Sequence, residues 1–379
     1  MRVLIDYRAA LVEPTGVGEF THQLARALLA SARSNGQTRE LELTLFSSSW
    51  KDRFVPSADL DGAVAIDRRV PVAVLNFLWH RCAWPAAEML ARGSFDIAHS
   101  LHPLLLPTRD AAQVVTICDL NFLVHPGRTR AEIRRDYPAL ARAHARRADR
   151  VIVISAFTAR EVETRLGVPP DRISICTPGA PPWPPRAEQR GTYLLCLGTL
   201  EPRKNVGLLL DAYEQLAARR TDLPPLRLAG KATEGAEDWL RRIGRAPLRG
   251  RVQHVGYVEP AHRRQLYEHA ALLIQPSYEE GFGLPVLEAM TMGVPVIATN
   301  RGALPEVVGD AGPLVEPDDP DQLASAIEHL LDDESAARIA VRRGLDRARR
   351  FSWEQTARDV MTAYRQAVDH RRDAAGTRN

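Results

Sequence analysis

Short apolar segments alternate with stretches of helical periodicity along the chain, and the alternation runs twice, once on each side of a proline-dense break. The first run opens with Val3-Leu4-Ile5-Asp6, followed by a long loop that carries Pro14-Thr15-Gly16-Val17-Gly18 near its end. A helix is predicted from about Glu19 to Ala32, where Phe20, Leu24, Ala27 and Leu28 recur at helical spacing. Further strands are predicted over 41–46, 63–66, 95–98, 114–118, 150–154 and 172–176. Helices are predicted over 72–91, broken near Trp84-Pro85, and over 129–147 and 156–166. The break is Pro178-Gly179-Ala180-Pro181-Pro182-Trp183-Pro184-Pro185, a proline density that makes a stiff extended linker. The second run predicts strands over 193–197, 226–229, 251–254, 272–274 and 296–298, with helices over 205–220, 236–243 and 260–270. Two capping boxes, Asp319-Pro320-Asp321-Gln322 and Ser352-Trp353-Glu354-Gln355, open later helices, the last running to about Val368 with a frayed polar tail past Asp369.

Strands alternating with helices predict parallel sheets covered on both faces, so the fold class is α/β with two doubly wound domains. The expected division is 1–178, a proline-rich linker over 179–190, a second domain over 191–352, and a C-terminal segment, 353–379, packing back on the first domain. Ligands of such sheets bind beyond the carboxyl ends of the strands, so two domains predict a cleft between two such edges.

Composition narrows the function classes. With 379 residues, 45% apolar and 26% charged, the chain has the make-up of a soluble globular protein. A net charge of only +3 implies no nucleic-acid partner. Cys82, Cys118, Cys176 and Cys196 have neither metal-ligand nor redox spacing and are expected as buried reduced thiols, which fits a cytoplasmic protein. The first residues enter a strand directly, leaving no room for a signal peptide, and no apolar run reaches the roughly 18 residues of a membrane span. Basic residues crowd Arg128 to Arg150, either as a solvated helix face or as a peripheral inner-membrane contact with anionic lipid or a pyrophosphate-linked acceptor. The stretch from Val72 to Trp84, with Phe77 and Trp79, could add an apolar interfacial face, with core packing as the competing use. Asp59-Leu60-Asp61 has the form of a metal motif but lies in a Pro-Ser-rich loop, so no metal site is expected. Gly16-x-Gly18 is not a dinucleotide fingerprint, because Thr21 stands where its third glycine belongs.

Two stretches carry the chemistry. Pro276-Ser277-Tyr278-Glu279-Glu280-Gly281-Phe282-Gly283-Leu284-Pro285-Val286-Leu287-Glu288 follows an apolar strand, with Pro285 suited to open a helix that ends at Gly293. A helix start suits a phosphate, while Glu280 in the loop and Glu288 in the first turn suit hydroxyls of a sugar and a ribose. Phosphate plus polyol indicates a sugar nucleotide. The other stretch, Leu197-Gly198-Thr199-Leu200-Glu201-Pro202-Arg203-Lys204-Asn205, brings two cations to a strand end, where they can neutralise a diphosphate.

Together these stretches resemble the retaining GT-B glycosyltransferases of family 4, whose E-x7-E signature matches Glu280 and Glu288. Further similarity lies in Val255-Gly256-Tyr257-Val258, in Gly293-Val294-Pro295-Val296-Ile297-Ala298 and, more weakly, in Gly16-Val17-Gly18 and Thr116-Ile117-Cys118-Asp119-Leu120. The wording around Glu201-Pro202-Arg203-Lys204-Asn205 is most similar to bacterial mannosyltransferases that build surface glycans. The resemblance implies a GT-B fold of two Rossmann-like domains facing across a cleft. It implies a nucleotide-sugar donor, GDP-mannose favoured, and no cofactor. It also implies a hydroxyl acceptor on a glycan or lipid-linked intermediate, retention of configuration, and no metal. Lys204 and Arg203 would hold the diphosphate, and Glu280 the donor-sugar hydroxyls. Gly281, Phe282, Gly283 and Leu284 would supply backbone, Glu288 would bind the ribose, and Tyr257 and Val258 would lie near the base. Gly16 and Gly18 would let the first loop approach phosphate and acceptor.

Two positions depart from the family pattern. Thr199 stands where many members have arginine, and Cys118 where many have histidine. A thiol at its normal pKa is no substitute for imidazole as a proton carrier. Asp119 joins Glu280, Lys204 and Arg203 as a catalytic candidate, with turn capping as its competing use; His99 is a strand-end candidate too, with a backbone hydrogen bond as its alternative. No carboxylate of the first domain stands out as a nucleophile, and the resemblance implies that the departing phosphate takes the acceptor proton. The alternatives are a catalytically silent sugar-nucleotide-binding subunit, and the same chemistry with a UDP- or dTDP-sugar.

Overall fold

The computed structural model describes residues 1–11, 16–34, 41–124, 131–187 and 191–376. The chain divides into two compact units, Met1–Gly179 with Ser352–Asn379, and Ala180–Phe351. Each is built on a parallel sheet. In the first unit the strands are β1 (Arg2–Asp6), β2 (Glu42–Ser48), β3 (Val64–Arg68), β4 (Ile97–Ser100), β5 (Ala112–Ile117), β6 (Arg150–Val153) and β7 (Ile173–Ile175). Their order is β3-β2-β1-β4-β5-β6-β7. In the second they are β8 (Tyr193–Leu197), β9 (Leu226–Ala229), β10 (Val252–Gly256), β11 (Ala270–Gln275), β12 (Val296–Thr299) and β13 (Leu314–Val315), in the order β10-β9-β8-β11-β12-β13.

The apolar runs make these strands because a parallel strand under helices is buried on both faces. Val3, Leu4 and Ile5 in β1, and Leu194 and Leu195 in β8, are fully buried. The covering helices present apolar residues at helical spacing; in helix Val206–Arg219 the buried set includes Leu209, Ala212, Tyr213 and Leu216. Strand order reverses between β1 and β4 in the first unit and between β8 and β11 in the second. Those reversals are the crevices in which doubly wound sheets take ligands.

Several boundaries differ from the sequence expectation. The first helix starts at Gly16, so Gly16 and Gly18 form its first turn rather than a loop end. The region 72–91 splits into Val72–Phe77, a π-turn Leu78–Cys82 and Ala87–Ala91. The π-turn ends at left-handed Ala83, which leaves Cys82 exposed rather than buried. Helix Glu334–Ala348, capped by Asp333, had no cue as clear as the two capping boxes.

The last helix runs from Trp353 to Gly376, well beyond Val368, so its tail does not fray at Asp369. Two features hold it. Thr356, Ala357, Val360, Tyr364 and Ala367 are buried on one face, which packs on β4–β7 and on helix Gly16–Ser34. Beyond them His370 and Arg371 lie 3.2 and 3.7 Å from the buried carboxylate of Asp149. Residues 180–187 carry no regular element; the Arg186 amide donates to Met292 O at 3.1 Å, and the Trp183 ring lies 6.0 Å from that of Tyr267.

Candidate functional site

The two chemistry-bearing stretches follow β8 and β11, neighbouring strands at the order reversal of the second sheet. After β8 the chain turns at Gly198, whose φ of +149° is open to glycine, and a Cβ there would stand 3.2 Å from Lys204 Cε. The turn Pro202–Lys204 closes at left-handed Asn205, whose side-chain amide donates to Pro317 O at 2.7 Å. Asx residues tolerate this conformation, and helix Val206–Arg219 starts directly after it. The second stretch is tied to the first by the Tyr278 amide, which donates to Arg203 O at 2.8 Å.

Glu280 is the point where the two stretches meet, and it is only 6% exposed. Its Oε1 accepts from Lys204 Nζ at 2.5 Å, Ser277 Oγ at 2.7 Å and Gln275 Nε2 at 2.8 Å. Its Oε2 accepts from Arg203 Nη1 at 3.0 Å. Arg203 is shared, since its Nε pairs with Glu201 at 2.5 Å. Burial alone would raise the Glu280 carboxyl, but the charges of Lys204 and Arg203 overcome it and hold the group down at about 2. Burial pulls Lys204 below the ordinary lysine value while Glu280 opposes that. The backbone of Glu280 rests on the loop after β12: the Ala303 amide donates to Glu280 O at 2.9 Å. Gly302, at φ +61°, comes so close that a Cβ would lie 2.6 Å from Glu280 N and O.

The rest of the signature is also inside the fold. Gly281 and Phe282 are buried, with the Phe282 ring edge-on to Phe351 at 5.6 Å. Gly283 at φ +106° caps helix Leu284–Thr291, so Pro285 is its second residue. Glu288 therefore sits in the second turn rather than the first, and is 6% exposed. It accepts from Arg263 Nη1 at 2.8 Å and Tyr267 Oη at 2.7 Å. Neither carboxylate is a solvated loop charge. Tyr257 and Val258 follow β10, and Lys231 Nζ lies 5.2 Å from the Tyr257 ring centre.

The candidates of the first unit are more dispersed. Gly16 is exposed with open space around it, whereas a Cβ on Gly18 would stand 2.7 Å from Ala9 O, so Gly18 lets the helix start pack on the turn Arg8–Ala10. Asp119 accepts from the Asn121 amide at 3.1 Å and so caps the turn that follows β5. Burial pushes the Cys118 thiol up to about 12, which removes it as a proton carrier. His99 is fully buried between Tyr364 Oη and Thr116 Oγ1, both at 2.8 Å; its partners are side chains, not backbone, and burial lowers its imidazole to about 3. Of the basic run, 125–130, including Arg128 and Arg130, lies outside the described residues. Arg142, Arg146 and Arg150 donate to Arg165 O, Leu166 O and Ser174 Oγ. Of the aromatic residues in 72–84, Trp79 is core at 2% exposure, while Phe77 and Trp84 are 62% and 57% exposed.

Asp59 pairs with His22 and Arg26, and among the described residues no group of three or more His, Cys, Asp or Glu is disposed to hold a metal. Among the described residues no helix is long and apolar enough to cross a membrane.

Sequence reasoning missed several members. Gln275 could have been found as the polar end of an otherwise apolar strand. Ser277 and Glu201 lay inside stretches already singled out. Arg263 and Tyr267, four apart on helix Pro260–Glu268, gave no signal. Nor did the cluster at the reversal of the first sheet, where Asp6 takes two hydrogen bonds from the Arg8 guanidinium at 2.8 and 2.7 Å and lies 3.4 Å from His102 Nε2.

Comparison with known proteins follows the same division. The chain is 43% identical to the O-antigen chain mannosyltransferase B of Escherichia coli over 176 residues, 46% of this chain and 45% of that one. The match thus spans less than half the length of that relative. It is 27% identical to the D-inositol 3-phosphate glycosyltransferase of Acidothermus cellulolyticus over 96% of this chain and 88% of the other. Among solved structures, sucrose-phosphate synthase from Thermosynechococcus elongatus superposes with a TM-score of 0.75 at 23% identity, covering 96% of this chain and 98% of that one. That likeness identifies the fold as GT-B. Residues 14–182 match the family described as Glycosyltransferase Family 4, and residues 191–333 match Glycosyl transferases group 1. With both halves matched in this way, the chain belongs to the group 1, family 4 glycosyltransferases.

Proposed function

We propose that this chain transfers a hexose, mannose from GDP-mannose, to a hydroxyl of a glycan or lipid-linked acceptor in the synthesis of a surface polysaccharide or glycoconjugate. The observation that carries the reading is the convergence of Lys204, Arg203 and Glu280 at the order reversal of the second sheet. Two cations and a carboxylate held ionised suit a substrate that pairs a diphosphate with a polyol. Similarity to an O-antigen mannosyltransferase favours mannose as the sugar.

In this reading Lys204 and Arg203 hold the diphosphate and stabilise its charge as the glycosidic bond breaks. Glu280 orients the sugar hydroxyls, Glu288 the ribose, and Tyr257 and Val258 flank the base. Gly281, Phe282, Gly283 and Leu284 supply backbone around the sugar and phosphate, while Gly16, Gly18 and Asp119 serve the acceptor side. The acceptor attacks the face the phosphate leaves, and the phosphate takes the acceptor proton, so configuration is retained. Catalysis then rests on positioning and charge stabilisation. The two side-chain cations do the work a divalent metal does elsewhere, so the reaction is read as metal-independent. Exposed Phe77 and Trp84 favour peripheral contact with the cytoplasmic face of a membrane.

The test is a screen of GDP-, UDP- and dTDP-sugars, with and without EDTA, followed by anomeric coupling analysis of the product. Slow release of GDP from GDP-mannose, unaffected by EDTA, is expected. Lys204→Ala and Glu280→Ala should each abolish it; near-wild-type rates in either would refute the site. Binding of sugar nucleotides with no turnover, even with acceptor extract, would point to a silent subunit instead.

A further inference from the structure

Glu280 is held unevenly. Three donors converge on Oε1, from Lys204, Ser277 and Gln275, while Oε2 takes the Arg203 guanidinium. Gln275 is the surprising member. It ends β11, where the preceding residues are Ala270-Ala271-Leu272-Leu273-Ile274, and it is 1% exposed. A buried amide in such a strand costs stability unless its polar atoms are paired. Here the Nε2 is paired, to Glu280 Oε1 at 2.8 Å and Ser277 Oγ at 3.1 Å, but the buried Oε1 meets no hydrogen-bond partner among the described residues. An apolar side chain would fill the position without that cost. What the amide adds is a neutral donor aimed at the carboxylate.

A neutral donor matters because the charged ones have a second use. Among the described residues, the groups facing Glu280 include Lys204 and Arg203, with Glu201 behind Arg203, the Cys196 thiol, and the neutral side chains of Gln275 and Ser277; the loop after β12 contributes backbone. If Lys204 and Arg203 turn to a diphosphate, the buried carboxylate shares its cations with another anion. Donors that carry no charge are not drawn away by phosphate.

We propose that Gln275 is a positioning residue: together with Ser277 it keeps Glu280 Oε1 occupied while the donor diphosphate engages Lys204 and Arg203, so that Oε2 is the oxygen presented to the donor sugar. This rests on the reading of Lys204 and Arg203 as diphosphate ligands.

Gln275→Met keeps the length of the side chain and removes the donor. In this variant GDP affinity, measured by calorimetry, should stay within about twofold of wild type, while kcat/KM for the nucleotide sugar falls about tenfold. The acidic limb of kcat, which reports the donor-bound enzyme, should also move about one pH unit upward, because a carboxylate with fewer donors binds its proton more tightly. An unmoved acidic limb in a variant with the wild-type melting temperature would overturn the proposal. Ser277→Ala, which removes the other neutral donor with little change of shape, should move the limb in the same direction and serves if Gln275→Met does not fold. If wild-type protein turned over no sugar nucleotide, the activity reading would fail by itself. The 13C carboxyl titration of Glu280, assigned with Glu280→Gln, would then decide on Gln275: its substitution should raise the Glu280 pKa more with GDP bound than without, and equal titrations would refute it.

Discussion

At the scale of single residues, the Lys204–Glu280 pair joins the two chemistry-bearing stretches of the second unit. Its partners are 8% and 6% exposed, so water does little to screen it. Removing one partner leaves the other charge buried, and Lys204→Ala should destabilise the second unit by about 3–5 kcal/mol, read by denaturant unfolding. The carboxyl of Glu280 is held at about 2, below its ordinary 4.5. A depressed folded-state pKa gives stability that is fully present above 4.5 and is lost as pH falls toward 2. The difference in melting temperature between wild type and Glu280→Gln should therefore shrink through that window, and a constant difference would show that the pair does not set the titration. The residues of this pair were legible from the sequence, because Arg-Lys after one strand and Glu-x7-Glu after another have few uses in common. Their mutual contact was not legible. Sequence spacing assigns each side chain to a ligand, whereas packing in the fold pairs them with each other.

At the scale of elements, the loop after β12 decides where Glu280 sits. Gly302 approaches the Glu280 backbone so closely that a Cβ would fall 2.6 Å from both N and O, and its φ of +61° disfavours any side chain. Gly302→Ala should lower kcat/KM by about tenfold or more, as expected when a misplaced group loses its alignment. Asp319→Ala is the control. Asp319 caps helix Pro320–Asp332 through the Gln322 amide at 2.8 Å, and its loss should cost about 1 kcal/mol with activity unchanged. Equal loss of activity in both would mean that general loosening, not the Glu280 contact, is responsible. Elements were read well where a strand was a solid apolar run, as in β8 and β9, and where a capping box marked a start, as at Asp319 and Ser352. Ends were read poorly where tertiary contact overrode polarity. Nothing in His370 or Arg371 announces that Asp149, more than two hundred residues earlier, holds the last turns in place.

At the scale of the whole molecule, the first unit depends on a segment from the far end of the chain. Tyr364 is fully buried and its hydroxyl meets His99, while Thr356 Oγ1 reaches Thr177 O at 2.6 Å. Deleting 352–379 should abolish the unfolding transition of the first unit while that of Ala180–Phe351 persists, as seen by calorimetry and limited proteolysis. Two retained transitions would show that the helix is dispensable. The same feature bears on how the protein is made. A chain emerging from the ribosome usually folds its domains in order of synthesis. Here the first unit is completed only after the second has been made, because its sheet lacks the cover of helix Trp353–Gly376 until that helix has left the exit tunnel. The second unit can close while the first waits, with β4–β7 lacking their cover. The interval before helix Trp353–Gly376 docks is therefore when this protein is most exposed to aggregation and most in need of a chaperone.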